Sequence, residues 1–202
     1  IVAVVLLGFG ALMLANEFIT SELRHLAEMD PLTNVFNRRA FLTLLDKAIS
    51  AAQRTGTAVP VLVMDLDHFK NINDTWGHRA GDDVLRHFVM LAHRCLRKED
   101  VMGRLGGEEF AIFLPNASAA GALAVAERLR ALVEAQPVAT GPQSIPLTVS
   151  VGVTLCAHGD AAGAALQRAD EAMYLAKERG RNRVEVSEKI VGTPVAPAAT
   201  AA

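Results

Sequence analysis

The sequence predicts an α/β (α+β) protein in which helices cover a central mixed β-sheet. Two observations predict this class. Segments with helical spacing of apolar residues alternate along the chain with short apolar runs of strand length, and two of those runs flank a Gly-Gly pair typical of a β-hairpin. With 202 residues, the chain is long enough for one such domain with appendages and short for two.

The elements are predicted in the order α-β-α-β-β-α-β-α-β. They are a helix over residues 38–54, a strand over 59–66, a helix over 82–98, hairpin strands over 101–105 and 109–114, a helix over 118–134, a strand over 147–155, a helix over 164–179 and a strand over 183–186.

The pattern of apolar residues justifies these elements in turn. Phe41 and Leu45 fall on one face of the first helix, and the strand that follows is continuously apolar until it ends in carboxylates. The second helix is amphipathic, with Leu85 and Phe88 facing inward, and the hairpin strands follow it. Ser118 suits the N-cap of the third helix, the next strand alternates and is β-branched, and the last helix leads into a short strand.

Composition excludes several classes of protein. Hydrophobic residues make up 51% and charged residues 21%, which excludes disorder of the whole chain. A net charge of −2 argues against a protein that holds a nucleic-acid polymer by bulk electrostatics. Cys95 and Cys156 form no CxxC pair and no metal-ligand spacing with the histidines, so a reducing, cytoplasmic setting fits the main domain.

The two ends of the chain differ from the domain between them. Residues 1–15 have no charged or polar side chain and are interpreted as the C-terminal part of a transmembrane helix, the alternatives being a buried helix or a signal peptide. If it spans a membrane, the positive charges that follow it would place the rest of the chain in the cytoplasm; they are Arg24, Arg38 and Arg39. Residues 16–29 are predicted as a connecting helix, residues 30–186 as the main domain and residues 187–202 as a disordered Ala/Pro-rich tail.

The carboxylates at the end of the first strand are the first candidate site. Asp65 and Asp67 point to one side of the strand by alternation, with the Leu66 carbonyl between them. Such hard oxygen ligands suit Mg²⁺, and ligands usually bind where strands of α/β sheets end. The alternative is a solvated strand end at which Asp67 caps a turn.

A second acidic group follows the glycines of the hairpin. Glu108 and Glu109 come directly after Gly106 and Gly107, and two adjacent carboxylates repel each other unless a cation neutralises them. Glycines let a phosphate approach the backbone. Together with Asp65, and without a Ser/His/Asp set, these residues predict metal-assisted phosphoryl or nucleotidyl transfer. The alternative is an ordinary hairpin with a solvated tip.

Two further groups suit a nucleotide. The segment 70–78 is predicted as an irregular loop in which Lys70 suits a phosphate, while Asn73 and Asp82 offer an amide and a carboxylate that match the edge of guanine. The alternative is that Asp82 is a helix N-cap. Lys177 and Arg181, four residues apart at the end of the last helix, would either clamp a triphosphate or complement the helix C-terminus.

Five ordered segments resemble the GGDEF family of diguanylate cyclases, over about 155 of the 202 residues. They are residues 30–33 (DPLT), 37–39 (NRR), 65–70 (DLDHFK), 73–78 (NDTWGH) and 106–110 (GGEEF). The resemblance implies a nucleotide-cyclase or polymerase-palm-like fold with a central, mostly antiparallel, five-stranded sheet. Asn34 departs from the usual glycine, but Asn tolerates the left-handed backbone.

The resemblance also implies a role for each matched residue. Asp65, the Leu66 carbonyl and Glu108 would hold Mg²⁺ or Mn²⁺, and Glu109 would complete the metal site or help deprotonate the attacking hydroxyl. The expected substrate-binding residues are His68, Phe69, Lys70, Lys177 and Arg181 for the phosphates, Asn73 and Asp82 for guanine, and Gly106 and Gly107 for the nucleotide backbone.

A separate inhibitory site is implied by the RxxD pattern at Arg97 and Asp100, with Arg128 as a second arginine. Arginine forks suit phosphate and guanine, so cyclic di-GMP would bind there and inhibit the enzyme. The alternative is a simple ion pair near a helix end.

The activity implied is condensation of two GTP molecules into cyclic di-GMP by a symmetric homodimer, each domain holding one GTP. The resemblance places the protein at a bacterial inner membrane with its catalytic domain in the cytoplasm. One alternative is a catalytically idle module that binds GTP or cyclic di-GMP. The other is a bifunctional or purely structural membrane-anchored module whose sensing part lies outside the sequence.

Overall fold

A computed structural model describes residues 28–140, 143–156 and 159–187, together with Met13. The predicted membrane segment (1–15), connecting helix (16–29) and tail (187–202) therefore lie, apart from Met13, Glu28, Met29 and Ser187, outside the described residues. Among the helices that are described, none combines the length and the apolar character needed to cross a membrane.

A six-stranded mixed sheet forms the centre of the domain. Its strands are β1 (Phe36–Asn37), β2 (Val59–Leu66), β3 (Val101–Gly106), β4 (Glu109–Phe113), β7 (Val149–Cys156) and β8 (Val184–Val186). Their order across the sheet is β1-β3-β4-β2-β7-β8. The four inner strands pair antiparallel, and both edge strands pair parallel. The predicted fold class is confirmed; the sixth strand, β1, is two residues long and too short to leave an apolar pattern.

Helices cover both faces of this sheet. They are α1 (Arg38–Thr55), α2 (Phe69–Trp76), α3 (His78–Cys95), α4 (Ala119–Ala135) and α5 (Ala162–Glu178). Helices α1 and α5 pack on one face and α3 and α4 on the other. On the first face Phe41 contacts Phe113 with ring centroids 5.4 Å apart, and on the second Phe88 contacts Phe110 at 4.9 Å. Each of these buried rings contributes about 2–3 kcal/mol by leaving water.

Strand β2 lies at the middle of the sheet and matches its predicted bounds. All eight of its residues are buried, with Val61 and Val63 toward α1 and α5, and Leu62 and Met64 toward α3 and α4. The strand therefore holds the carboxylates at its end on a rigid support.

Helix α5 approaches β7 unusually closely at Gly152. A Cβ atom there would lie 1.9 Å from the Ala169 carbonyl oxygen and 2.3 Å from the Met173 nitrogen. Because backbone cannot move aside, only glycine permits this approach, which fixes the middle of α5 against the sheet.

Several predicted boundaries are wrong in the region after β2. Residues 70–78 are not an irregular loop: Phe69–Trp76 form α2, with Phe69 and Ile72 buried on one face. Gly77, at φ 80°, ends α2 and precedes α3, which begins at His78 rather than at residue 82, so Asp82 is not an N-cap. Helix α3 also ends at Cys95, before Arg97.

A small hairpin outside the main sheet was not predicted. Strands β5 (Val138–Thr140) and β6 (Gln143–Ile145) have three residues each, which is too short for alternation to be recognised. By contrast, Ser118 caps α4 as predicted, because its hydroxyl oxygen accepts from the Gly121 N–H at 3.1 Å.

Candidate active site

Acidic residues converge where the C-terminal end of β2 lies beside the β3–β4 hairpin. Asp65 is the cross-strand neighbour of Glu109, and the Leu66 N–H donates to the Glu108 carbonyl oxygen at 3.4 Å. Asp65 is 5% exposed, whereas the two glutamates are half-buried. The sheet register thus brings together the residues that the sequence assigns to a metal site.

The Asp65 carboxylate has one direct cationic partner. Lys177 of α5 places its Nζ 2.8 Å from the Asp65 Oδ2. Burial, with smaller contributions from the charges of Glu108 and Glu109, raises the pKa of Asp65 to about 6 despite that lysine. An ionised Asp65 in this setting is stabilised by any added positive charge.

The donor set here fits a hard divalent cation. Asp65, Glu108 and the Leu66 carbonyl supply carboxylate and carbonyl oxygens, which Mg²⁺ accepts together with water and phosphate oxygens. Within the described residues, the structure contains no group of three or more His, Cys, Asp or Glu side chains that are already close enough together to hold a metal ion. Lys177 occupies an Asp65 oxygen, so a metal ion would take the place of that ammonium group.

The hairpin turn is formed by residues 107 and 108 rather than by the two glycines. Gly106 is the last residue of β3 and pairs with Glu109, and Gly107 adopts φ 43°. A Cβ atom on either glycine would meet nothing within 4 Å, so the turn is open on its outer side. A nucleotide backbone can therefore approach it without obstruction.

Arg104 fixes this turn, a role that the sequence did not indicate. Its guanidinium donates from Nε and an Nη to the Gly107 carbonyl oxygen at 2.9 and 2.7 Å, and its other Nη lies 3.0 Å from Asp30. Asp30 also accepts from the N–H and hydroxyl of Thr33. Burial alone would raise the pKa of Asp30, but the hydrogen bonds from Thr33 and Arg104 outweigh it and lower that pKa.

The loop after Asp30 explains the departure from the family pattern. Asn34 adopts φ 56°, in the left-handed region that asparagine tolerates better than most residues.

The predicted phosphate-binding residues of the β2–α2 turn follow the strand end that carries Asp65. We call the group of Asp65, Glu108 and Glu109 the acidic edge. His68 is exposed at φ 58°, Phe69 is buried, and Lys70 is exposed in the first turn of α2. Because α2 begins directly after β2, its first N–H groups lie near the end of that strand. Free N–H groups at a helix N-terminus suit an anion.

Lys177 and Arg181 do not lie on one helix face as predicted. Helix α5 ends at Glu178, and Arg181 follows in a turn at φ 63°, with its side chain exposed. Lys177 points at Asp65, so only Arg181 extends toward solvent in this structure.

The two residues expected to recognise guanine lie on neighbouring helices. Asn73 is on α2 and Asp82 on α3, and both are half-buried. A Cβ atom on Gly81 would lie only 2.0 Å from the Asn73 Oδ1, so the Asn73 side chain packs directly over the residue before Asp82. The helical hairpin brings the pair together, although part of it was expected to be a loop.

Arg97 and Asp100 line a separate cavity of about 280 Å³ after α3, together with Asn116 and Ser118. The Arg97 N–H donates to the Asp100 Oδ2 at 2.7 Å, and burial raises the pKa of Asp100. Arg128 projects from α4 and donates to the Cys95 carbonyl oxygen at 2.7 Å.

A second cavity, of about 350 Å³, lies beside the β2–α2 turn. Its lining includes Asp67, His68, Trp76 and Pro146. Trp76 is 41% exposed at the C-terminal end of α2.

Comparison with known sequences identifies similar proteins. Residues 27–183 match the family described as "Diguanylate cyclase, GGDEF domain". The chain is 42% identical over 174 residues to diguanylate cyclase DosC of Escherichia coli and 42% identical over 175 residues to response regulator PleD of Caulobacter vibrioides. These alignments cover 86% and 84% of this chain, and the chain spans only 38% of the length of either relative.

Solved structures are also similar. The coiled coil and GGDEF domain of DgcB from Caulobacter crescentus, in complex with c-di-GMP, has a TM-score of 0.85 at 33% identity, covering 90% of this chain and 97% of that one. Diguanylate cyclase SiaD from Pseudomonas aeruginosa, in complex with its activator SiaC, has a TM-score of 0.79 at 35% identity, covering 88% and 68% of the two chains.

Proposed function

This chain belongs to the GGDEF family of diguanylate cyclases, and we propose that it condenses two GTP molecules into cyclic di-GMP and two pyrophosphates. The observation that carries the proposal is the pairing of Asp65 with Glu109 beside an open glycine turn. A buried carboxyl that repels its acidic neighbours suits a divalent cation, and an open turn suits a polyphosphate.

Asp65, Glu108 and the Leu66 carbonyl would hold the metal ion, for which we propose Mg²⁺, with Mn²⁺ as the alternative. A bound divalent ion would offset phosphate charge and lower the pKa of the attacking hydroxyl. Glu109, next to this group in the register, would accept the proton of that hydroxyl.

The remaining residues would bind and orient the nucleotide. The N-terminus of α2 with Lys70, and Lys177 and Arg181 at the end of α5, supply positive charge for the β- and γ-phosphates. Asn73 and Asp82 would pair with guanine, whose N1–H and N2–H₂ groups are donors that adenine lacks at that edge.

The two bond-forming steps proceed in the same way. The 3′-oxygen of one GTP forms a bond to the α-phosphorus of the other, and the bond from that phosphorus to the α–β bridging oxygen breaks. Pyrophosphate leaves with the electron pair, and the hydroxyl proton passes to Glu109 or water. Because each domain would hold one GTP, the active form is a two-fold symmetric homodimer.

We also propose that the product inhibits the enzyme at the cavity of Arg97 and Asp100, with Arg128 on the neighbouring helix. The cavity is separate from the acidic edge and presents an exposed arginine. Residues 1–15 would tether the domain to a bacterial inner membrane on its cytoplasmic side, since their apolar run precedes several arginines.

The second candidate is a module that binds GTP or cyclic di-GMP without turnover. The Lys177–Asp65 ion pair favours it, because a lysine that stays on Asp65 would keep a metal ion away. In that case the cavity of Arg97 and Asp100 would be the nucleotide-binding site that matters for function.

Turnover separates the two candidates. The full chain is incubated with GTP and Mg²⁺, or with Mn²⁺, and nucleotides are separated by chromatography, beside Glu109→Gln and a control, Glu171→Gln, which changes an exposed glutamate of α5 that belongs to neither proposed site. Cyclic di-GMP from the native chain and from Glu171→Gln, with loss in Glu109→Gln, supports the cyclase. No product even from a chain dimerised by fusion and freed of bound nucleotide would overturn it.

A further inference from the structure

Three segments of the chain, two of which belong to the proposed active site, meet at one buried carboxylate, Asp67. This side chain is 3% exposed and directly follows the end of β2. It accepts from the Thr148 and Ser150 hydroxyls, each at 2.7 Å, and from the Asn182 N–H at 3.0 Å. Asp67 therefore ties the end of β2 to β7 and to the turn after α5.

That turn has a backbone conformation that ordinary residues avoid. Arg181 and Asn182 are consecutive and adopt φ 63° and 46°, in the left-handed region that asparagine tolerates but arginine rarely adopts. Strain of this kind persists only where surrounding contacts enforce it, and it is concentrated at functional sites.

Contacts with two elements enforce the turn. Besides the Asp67 bond, the Arg181 N–H donates to the Ala176 carbonyl oxygen at 2.9 Å. The Asn182 side chain donates to Glu134 at 2.8 Å and accepts from Arg130 at 2.9 Å, both on α4. Arg130 also pairs with Glu134 at 2.7 Å, which closes a small network on that helix.

We propose that Asp67 is a positioning residue that holds the Arg181 turn in its strained form, so that Arg181 is oriented for the triphosphate before GTP binds. This inference rests on the proposed function, because GTP is the ligand. Asp67 would touch neither nucleotide nor metal; it would act through the Asn182 N–H. A cation fixed in advance loses less freedom on binding, so the expected consequence is a higher affinity for GTP.

A double-mutant cycle on GTP affinity tests this. The ligand is a GTP analogue with a methylene group between the α- and β-phosphates, which cannot be cleaved there, titrated with Mg²⁺ into the full chain by calorimetry. The variants are Asp67→Asn, Arg181→Ala and the double variant. Asparagine keeps the size of Asp67, but its amide group cannot accept from all three donors.

Asp67→Asn and Arg181→Ala are each expected to weaken binding about tenfold, and the double variant little more than either. Such non-additivity requires that Asp67 act through Arg181, which a purely structural role would not produce. Independent effects, about a hundredfold in the double variant, would overturn the proposal.

Milder and matched variants keep the test valid if Asp67→Asn does not fold. Ser150→Ala removes one donor to Asp67 and should still weaken binding severalfold, whereas Thr154→Val removes a hydroxyl bond at the far end of the same strand and should not. Equal affinities in these two variants would also overturn the proposal. Failure of the native chain to bind the analogue overturns the proposed function together with this inference, whereas tight native binding with an additive cycle overturns this inference alone.

Discussion

Asp65 and Asp67 are two residues apart, are almost equally buried, and have opposite surroundings. Asp65 contacts the Lys177 ammonium and lies near two further carboxylates, so its charge is set by other charges. Asp67 accepts three hydrogen bonds, from two hydroxyls and a backbone N–H.

The difference separates a reactive position from a structural one. One cation can replace another on Asp65 without leaving a polar group unsatisfied, so this residue suits a transient metal ion. The donors around Asp67 belong to the fold and have fixed directions. Replacing them would leave several buried polar groups without hydrogen-bond partners at once. Four variants, taken in order of expected effect, test this contrast.

Asp65→Asn is expected to lower turnover at least about a thousandfold, because a proposed metal ligand is lost. The same variant should be more stable than the native chain by about 1–2 kcal/mol near pH 8 without metal. Since the pKa of about 6 in the folded state lies above the ordinary aspartate value of 3.8, ionised Asp65 destabilises the fold above pH 6, and the cost disappears below about pH 4. Urea unfolding of both chains across this pH range measures the difference in stability. A variant that is less stable than the native chain at every pH would contradict the prediction.

Glu108→Gln is expected to lower turnover about a hundredfold, through loss of a second proposed metal ligand. It also removes one of the charges that raise the pKa of Asp65, so that pKa should fall. In urea unfolding without metal, the pH at which stability changes should move below that of the native chain. An unchanged pH profile would mean that the two carboxylates do not interact.

Lys177→Met should change the pKa of Asp65 in the direction opposite to Glu108→Gln. Without the ammonium group the pKa of Asp65 rises further, and the fold should lose about 2 kcal/mol near pH 8. The loss should vanish as pH falls through 6, because a protonated Asp65 forms no ion pair. Lys70→Met, which changes an exposed lysine on α2, is the control and should leave unfolding unchanged at every pH.

Ser150→Ala has the smallest expected effect, a loss of about 1–2 kcal/mol in unfolding free energy, since it removes one donor from a buried carboxylate. The Asp65 transition near pH 6 should remain. If that transition moved as it does in Lys177→Met, the two carboxylates would share one electrostatic environment and the contrast between them would fail.

Much of the scaffold could be predicted from the sequence because its signals are local. Strand β2 is a continuous apolar run, and the Ser118 cap lies at a helix start. Helix α2 was missed because its Asn, Asp and Thr residues are typical of loops, and only the burial of Phe69 and Ile72 stabilises it.

The sequence predicted Asp65 and Asp67 as a pair but could not distinguish their roles. The partners of Asp67 lie 81, 83 and 115 residues away in the chain, and Lys177 is on the last helix. Arg104 was missed for the same reason, because its partner Asp30 is 74 residues away, although its place just before the glycines was a usable signal. Side-chain partners depend on the tertiary fold, which no local pattern contains.

Trp76 gives the protein a built-in optical signal. It is the one tryptophan in the sequence, so fluorescence excited at the red edge of protein absorption comes from a single known position. That indole is partly exposed at the end of the helix that carries Lys70 and Asn73, and it borders the cavity beside His68. The emission wavelength of Trp76 and the quenching of its fluorescence therefore report the environment of this helix alone, without a label and without altering the chain.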